Sequence, residues 1–142
     1  MKYTQPLDLE TLLRVPHIER YSGFDLSPDG QHVAFSWNVS GRWEIYVRPL
    51  DRAGPPQQVT TGPGAKLAPR WSPDGRQLAY ALDLDGSERY DLYCHDRATG
   101  AHVNLTPDTP EAIQPNFCWS PDGRQIAFAS DRSGHFDTYV MP

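Results

Sequence analysis

"WSPDGRQLAY", residues 71–80, joins two strand-like flanks through Ser72-Pro73-Asp74-Gly75, and nearly the same phrase stands at 26–35 ("LSPDGQHVAF") and 119–128 ("WSPDGRQIAF"). Turn chemistry explains the interruption. Serine opens the turn by hydrogen-bonding the backbone ahead of it, and proline fixes φ near the type I value. Aspartate tolerates the third position, and glycine supplies the left-handed residue that closes a bulged hairpin. Aromatic and β-branched neighbours suit the flanks to strands. Each phrase therefore reads as strand, tight turn, strand.

The phrase belongs to a longer repeat. From Gly30 to Phe35, Gly75 to Tyr80 and Gly123 to Phe128 the step is five residues each time. Asn38, Asp83 and Asp131 then open a second turn that ends in Gly41, Gly86 or Gly134. Aromatic-led strands follow: "WEIYV" (43–47), "YDLYC" (90–94) and "FDTYV" (136–140). A fourth element, "QQVTT" (57–61) or "HVNLT" (102–106), completes the first two copies only. The period is 45 residues from Ser27 to Ser72 and 48 from Ser72 to Ser120. Four short strands at such a period are the mark of a β-propeller blade. The expected fold is all-β: a partial propeller of about three four-stranded blades, the third incomplete, after a short N-terminal helix. The expected division is a leader at 1–20, blade 1 at 21–66, blade 2 at 67–113 and blade 3 at 114–142. In the leader, Leu9, Leu12 and Leu13 share a helical face, Asp8 can cap and Pro16 stops the run, so the helix is expected to pack on the first blade.

Composition narrows the function. The chain has 142 residues and a formal charge of −5, with no cluster of basic residues, so nucleic acid is not an expected partner. No apolar run approaches a membrane span. The head, "MKYTQPLDLE", has no apolar signal core, which points to the cytoplasm. Cys94 and Cys118 lack metal-ligand spacing and suit a reduced compartment.

"SPDGRQIAFASDRSGHFDTYV" (120–140) resembles the blade repeat of TolB-type propellers and of the N-terminal propellers of the prolyl oligopeptidase family. The head, "LETLLRVPHIERYSGFDLSPDGQHVAF" (9–35), is similar to the opening of acylaminoacyl-peptidase-like and dipeptidyl-peptidase-like members of that family. The resemblance implies a propeller that screens access to an α/β-hydrolase domain with a Ser-Asp-His triad, so the parent's partners would be that domain and a peptide substrate. The catalytic domain is absent from this chain, because no G-x-S-x-G elbow occurs in 1–142. An adjacent glutamate pair that grips a free amine in some dipeptidyl members is also missing. Glu10, Glu19, Glu44, Glu88 and Glu111 stand apart.

Several suggestive features read best as structure. Asp83-Leu84-Asp85-Gly86 with Glu88 lacks calcium-loop spacing and occupies a turn slot of the repeat. His17, His32, His95, His102 and His135 form no H-E-x-x-H or i,i+4 pair, so strand-end or surface roles are expected. Asp131-Arg132 reads as an ion pair or turn contact between blades. The sequons at Asn38 and Asn104 are read as coincidental. Trp71 and Trp119 hold equivalent places, with Leu26 in the first copy, which predicts core packing. No residue is assigned a catalytic, cofactor or metal-binding role. The function expected is a fragment of the gating propeller of a prolyl oligopeptidase-family serine peptidase, proteolysis belonging to the parent alone. The second reading is a TolB-like protein-binding propeller without enzymatic activity. Self-association through open blade edges is expected of three blades in isolation.

Overall fold

A computed structural model describes residues 9–51, 54–107 and 113–142. A short helix, α1 (Leu9–Leu13), precedes eleven strands among these residues. The first sheet runs β1 (Phe24–Leu26), β2 (His32–Trp37), β3 (Glu44–Pro49), β4 (Gln57–Gln58). The second runs β5 (Ala65–Trp71), β6 (Gln77–Asp83), β7 (Tyr90–Asp96), β8 (His102–Asn104). The third contains β9 (Ile113–Trp119), β10 (Ile126–Ser130) and β11 (Asp137–Met141). Every pairing is antiparallel between chain neighbours, which makes each sheet a meander and each repeat a blade.

The three SPDG turns share one set of bonds. In the second, Gly75 N donates to Ser72 O at 2.8 Å, Gln77 N donates to Ser72 Oγ at 2.9 Å and Ser72 Oγ donates to Asp74 Oδ1 at 2.7 Å. The glycines sit at φ 67°, 69° and 70°, the left-handed residue that the bulged hairpin demands. The serine hydroxyl, and then the backbone N–H two residues on, hold Asp29, Asp74 and Asp122 below the usual carboxylate range. The second turns form as read: Gly41 N and Gly134 N donate to Asn38 O and Asp131 O, and Gly86 N donates to the Asp83 carboxylate.

The two faces of a blade differ. One face carries aromatics, stacked across strands as Phe35–Tyr46, Tyr80–Tyr93 and Phe128–Tyr139, and in the second and third blades it is turned to the preceding blade. The opposite face carries small and aliphatic residues. Ala34 and Ile45 of the first blade thus bury Trp71, Leu78 and Tyr80 of the second. Ala68, Ala79, Ala81 and Leu92 of the second bury Phe117, Ile126 and Phe128 of the third. The tryptophans add a polar latch. Trp71 Nε1 donates to Asp25 O and Trp119 Nε1 to Arg70 O, each at 3.2 Å. Both acceptors lie two residues before the SPDG serine of the preceding blade. The turns stack in the same order, because a Cβ on Gly75 would lie 3.7 Å from Pro28 Cδ, and one on Gly123 3.4 Å from Pro73 Cδ.

The leader departs from expectation. The helix exists, but Leu9 and Leu13 are 70% and 72% exposed, so these leucines do not pack on the blade. Leu12's side chain and Asp8 lie outside what the structure describes. Backbone pairing ties the leader down instead. Ile18 bridges Trp37, Glu19 N donates to Ser36 O at 3.1 Å and Ser36 N donates to Gly23 O at 2.7 Å. Between them the chain loops out, and the Glu19 carboxylate collects Tyr21 N and Ser22 N at 2.9 and 2.8 Å. Gly23 is required there, since a Cβ would meet Glu19 O at 1.9 Å. The fourth elements are shorter than read, two and three residues.

Replacing Ser72, which is 2% exposed, with alanine removes the acceptor for Gln77 N and the donor to Asp74. Urea denaturation of the variant should show a loss of about 1–2 kcal/mol with an unchanged m-value. A loss below roughly 0.3 kcal/mol would mean that backbone bonds alone hold the turn.

Candidate functional site

The densest chemistry among the described residues lies in the seam between the first two blades. At one end Glu44 and Lys66 form a buried pair, Nζ to Oε1 3.1 Å, with side chains 3% and 4% exposed. Thr60 completes it, donating to Glu44 Oε2 at 2.6 Å while accepting Ile45 N at 2.8 Å. Lys66 Nζ also donates to Gly62 O at 2.8 Å. The clasp therefore pins the connector between β4 and β5 to the first blade. The second blade repeats it in weaker form: Thr106 Oγ1 donates to Asp91 Oδ1 at 3.2 Å and accepts Leu92 N at 3.0 Å.

Further along the seam, His95 on β7 and His102 on β8 are register partners, with ring centroids 4.5 Å apart. Tyr80 Oη lies 2.9 Å from His102 Nδ1, and His95 Nδ1 is buried without a hydrogen-bond partner among the described residues. Burial holds both imidazoles below their ordinary value, and the neighbouring His102 lowers His95 further. Arg97 lies over Trp71, 4.8 Å from the ring centroid. With Val47, Gln57, Gln58 and Val59 of the first blade these residues enclose a cavity of about 350 Å³. Spacing along the chain gave no sign of the histidine pair, because the contact is across strands; the only available signal was the shared register of "HD" and "AH" about the 96–101 turn.

The other candidates are placed as follows. The Asp83 carboxylate accepts Gly86 N and Glu88 N, so it caps its turn. Arg132 lies over Phe128 and Tyr139 of its own blade, 4.9 and 4.6 Å from the centroids. Asn38 Oδ1 accepts His17 N, and Asn104 joins Asp91 and Thr106 N, which commits both sequon side chains internally. Trp71 and Trp119 pack in the core as expected and also carry the latch. Cys94 and Cys118 are free thiols; burial, above all, raises the Cys94 thiol to about 11. Glu111 lies outside the described residues.

No described residues assemble a working nucleophile. Ser133, His135 and Asp137 share one turn, but Ser133 Oγ and His135 Nε2 both meet Asp137 Oδ2, at 3.2 and 2.9 Å. Ser133 Oγ also donates to the His135 backbone carbonyl at 3.2 Å, with no hydrogen bond to the imidazole among the described residues, and the side chains of the His–Asp pair are 73% and 49% exposed. The ion pairs and turns of the repeat are thus architectural, and the first-seam cavity is the concave site that gathers the most polar side chains beside them.

Three comparisons bear on identity. The TolB beta propeller domain family matches residues 23–142. Dipeptidyl-peptidase 5 of Porphyromonas gingivalis is 33% identical over 99 residues, 60% of this chain and 14% of that protein. The Tol-Pal system protein TolB of Alcanivorax borkumensis is 41% identical over 61 residues, 42% of this chain and 14% of that protein. The crystal structure of TolB from Acinetobacter baumannii superposes with a TM-score of 0.70 at 27% identity, covering 83% of this chain and 28% of that one. The chain thus spans about a seventh of the length of these two curated relatives. No helix among the described residues is long and apolar enough to cross a membrane.

Two measurements test the seam. Lys66→Met should cost about 3–5 kcal/mol in urea denaturation by stranding Glu44, and adding Glu44→Leu should recover much of it. Equal losses in the single and double variants would refute the clasp. For the histidines, folded values below the unfolded one near 6.5 mean that the unfolded chain takes up protons first. Stability should therefore hold above pH 6.5 and fall as the pH drops through that value towards 5, before the turn aspartates titrate. Tyr80, Asp96 and Arg97 are the ionisable neighbours, and His95→Gln/His102→Gln should flatten the curve. An unaltered slope would remove the pair from the account.

By its blade repeat, its stacked antiparallel sheets and its match to the family over 23–142, the chain belongs to the TolB-type β-propeller domain family.

Proposed function

We propose that the chain is the N-terminal part of the substrate-gating propeller of a prolyl oligopeptidase-family serine peptidase. Its blades would occupy 21–66, 67–113 and 114–142 behind a leader at 1–20. The observation that carries this reading is the leader. The segment whose wording resembles the opening of acylaminoacyl- and dipeptidyl-peptidase-like proteins is tied to the second strand of blade 1, β2, through Ile18, Glu19 and Gly23. The likeness to a dipeptidyl peptidase over 60% of the chain supports it. On this reading the chain shapes entry to an α/β-hydrolase domain supplied elsewhere in the parent, with peptides as substrate and the cytoplasm as compartment. It performs no bond cleavage itself.

The second reading, a TolB-like module that binds protein partners, is favoured by the 41% identity to a TolB and by the TolB superposition. A fluorophosphonate probe separates the two. The full-length product of the parent gene should label on one serine within G-x-S-x-G, and residues 1–142 alone should not label. A full-length product that ends after its last blade and takes no label would overturn the peptidase reading in favour of the binding module.

A further inference from the structure

Both seams hold a cavity at the same place in the repeat, and their walls differ. The second-seam cavity, about 360 Å³, is lined by Cys94, Val103, Leu105 and Ile126, with Arg124 and Asp96 supplying opposite charges. In the first seam Trp71 and Leu78 stand where Trp119 and Ile126 stand in the other, and Val47, Gln57 and Val59 where Cys94, Val103 and Leu105 stand; His95, His102 and Arg97 of the second blade add a polar side to the first cavity. The first-seam lining holds one permanent cation and no carboxylate.

The cation is also under-used. Arg97 rests on Trp71 and makes one hydrogen bond among the described residues, Nη1 to Gly75 O at 3.0 Å, from a group with five N–H donors. The carboxylates of this region are committed to their own turns. Asp96 accepts Ala98 N, Thr99 N and Thr99 Oγ1, and Asp29, within electrostatic reach of Arg97, accepts Gln31 N and Ser27 Oγ. His95 completes the lining, its buried Nδ1 without a hydrogen-bond partner among the described residues. Beside these polar groups, Trp71, Leu78 and Val47 offer an apolar wall.

We propose that the first-seam cavity binds a small organic carboxylate with an aromatic or branched apolar body. The carboxylate would accept hydrogen bonds from Arg97, the group best suited to it, and the body would lie against Trp71 and Leu78. A cavity of about 350 Å³ suits a ligand of this size. The shared chemistry is found in free arylalkanoic or branched acids and in the C-terminal residue of a peptide. The site rests on the seam alone and holds for either parent.

Titration of ¹⁵N-labelled chain with sodium phenylacetate, followed at the indole N–H signals, tests this. Trp71 should shift saturably while Trp119 stays still. Benzyl alcohol, with the same ring and no charge, should bind about tenfold more weakly or worse. Arg97→Gln should weaken phenylacetate by about tenfold and leave benzyl alcohol unchanged. N-acetylphenylalanine binding more tightly than phenylacetate would assign the site to peptide C-termini, and the reverse order to free acids. Equal shifts at both indoles, or alcohol and acid binding alike to the unaltered chain, would overturn the proposal without bearing on the parent's activity.

Discussion

A twisted sheet of three or four short strands has two apolar faces, and its own repeat can cover neither. This chain meets that constraint by making the faces complementary. One presents a stacked aromatic pair, the other alanines and a branched aliphatic, and each blade sets its aromatic face on the small-residue face before it. Close packing needs this pairing of large with small. The tryptophan latch fixes the register, because its indole N–H reaches one carbonyl of the preceding inner strand. The proline-on-glycine stack of the turns follows from the same alignment. In the third blade Val140, at the position of Val47 and Cys94, is 60% exposed on the face that the first two blades use for the next one.

The polar groups divide into those that build the seams and those that the seams do not require. Glu44, Lys66 and Thr60 belong to the first kind: buried, mutually bonded and echoed by Asp91 and Thr106 in the next blade. Such a clasp gives register at a desolvation cost that its hydrogen bonds must offset. His95, His102 and Arg97 belong to the second kind, since they line the first-seam cavity and take part in neither the clasp nor the tryptophan latch.

Much of the fold was legible in the sequence because its information is local. A Ser-Pro-Asp-Gly turn needs no distant residue to form, and its recurrence at a fixed step implies the meander. The tryptophans were recognised as core by their equivalent places, but their indole bonds run 46 and 49 residues back along the chain and were not foreseeable. The leader helix misled for a related reason. Leucines three and four apart mark a helical face, yet whether that face meets a partner is decided elsewhere, and Leu9 and Leu13 remain exposed. The histidine pair was hidden because contact across strands depends on register, which the 96–101 turn sets through Asp96 N to Ala101 O. The function lies further out of reach, since blades of this pattern serve both the peptidase and the TolB relatives.

Hydrogen exchange at the four tryptophan indoles tests the account of blade stacking most directly. Trp71 and Trp119 donate to carbonyls of the preceding blade, whereas Trp37 and Trp43 have no indole hydrogen bond among the described residues. The account predicts that the Trp71 and Trp119 indole protons exchange at least about a hundredfold more slowly than those of Trp37 and Trp43, because both require a seam to open. Exchange of all four at the same rate would contradict it, showing that the blades are not latched to one another in solution.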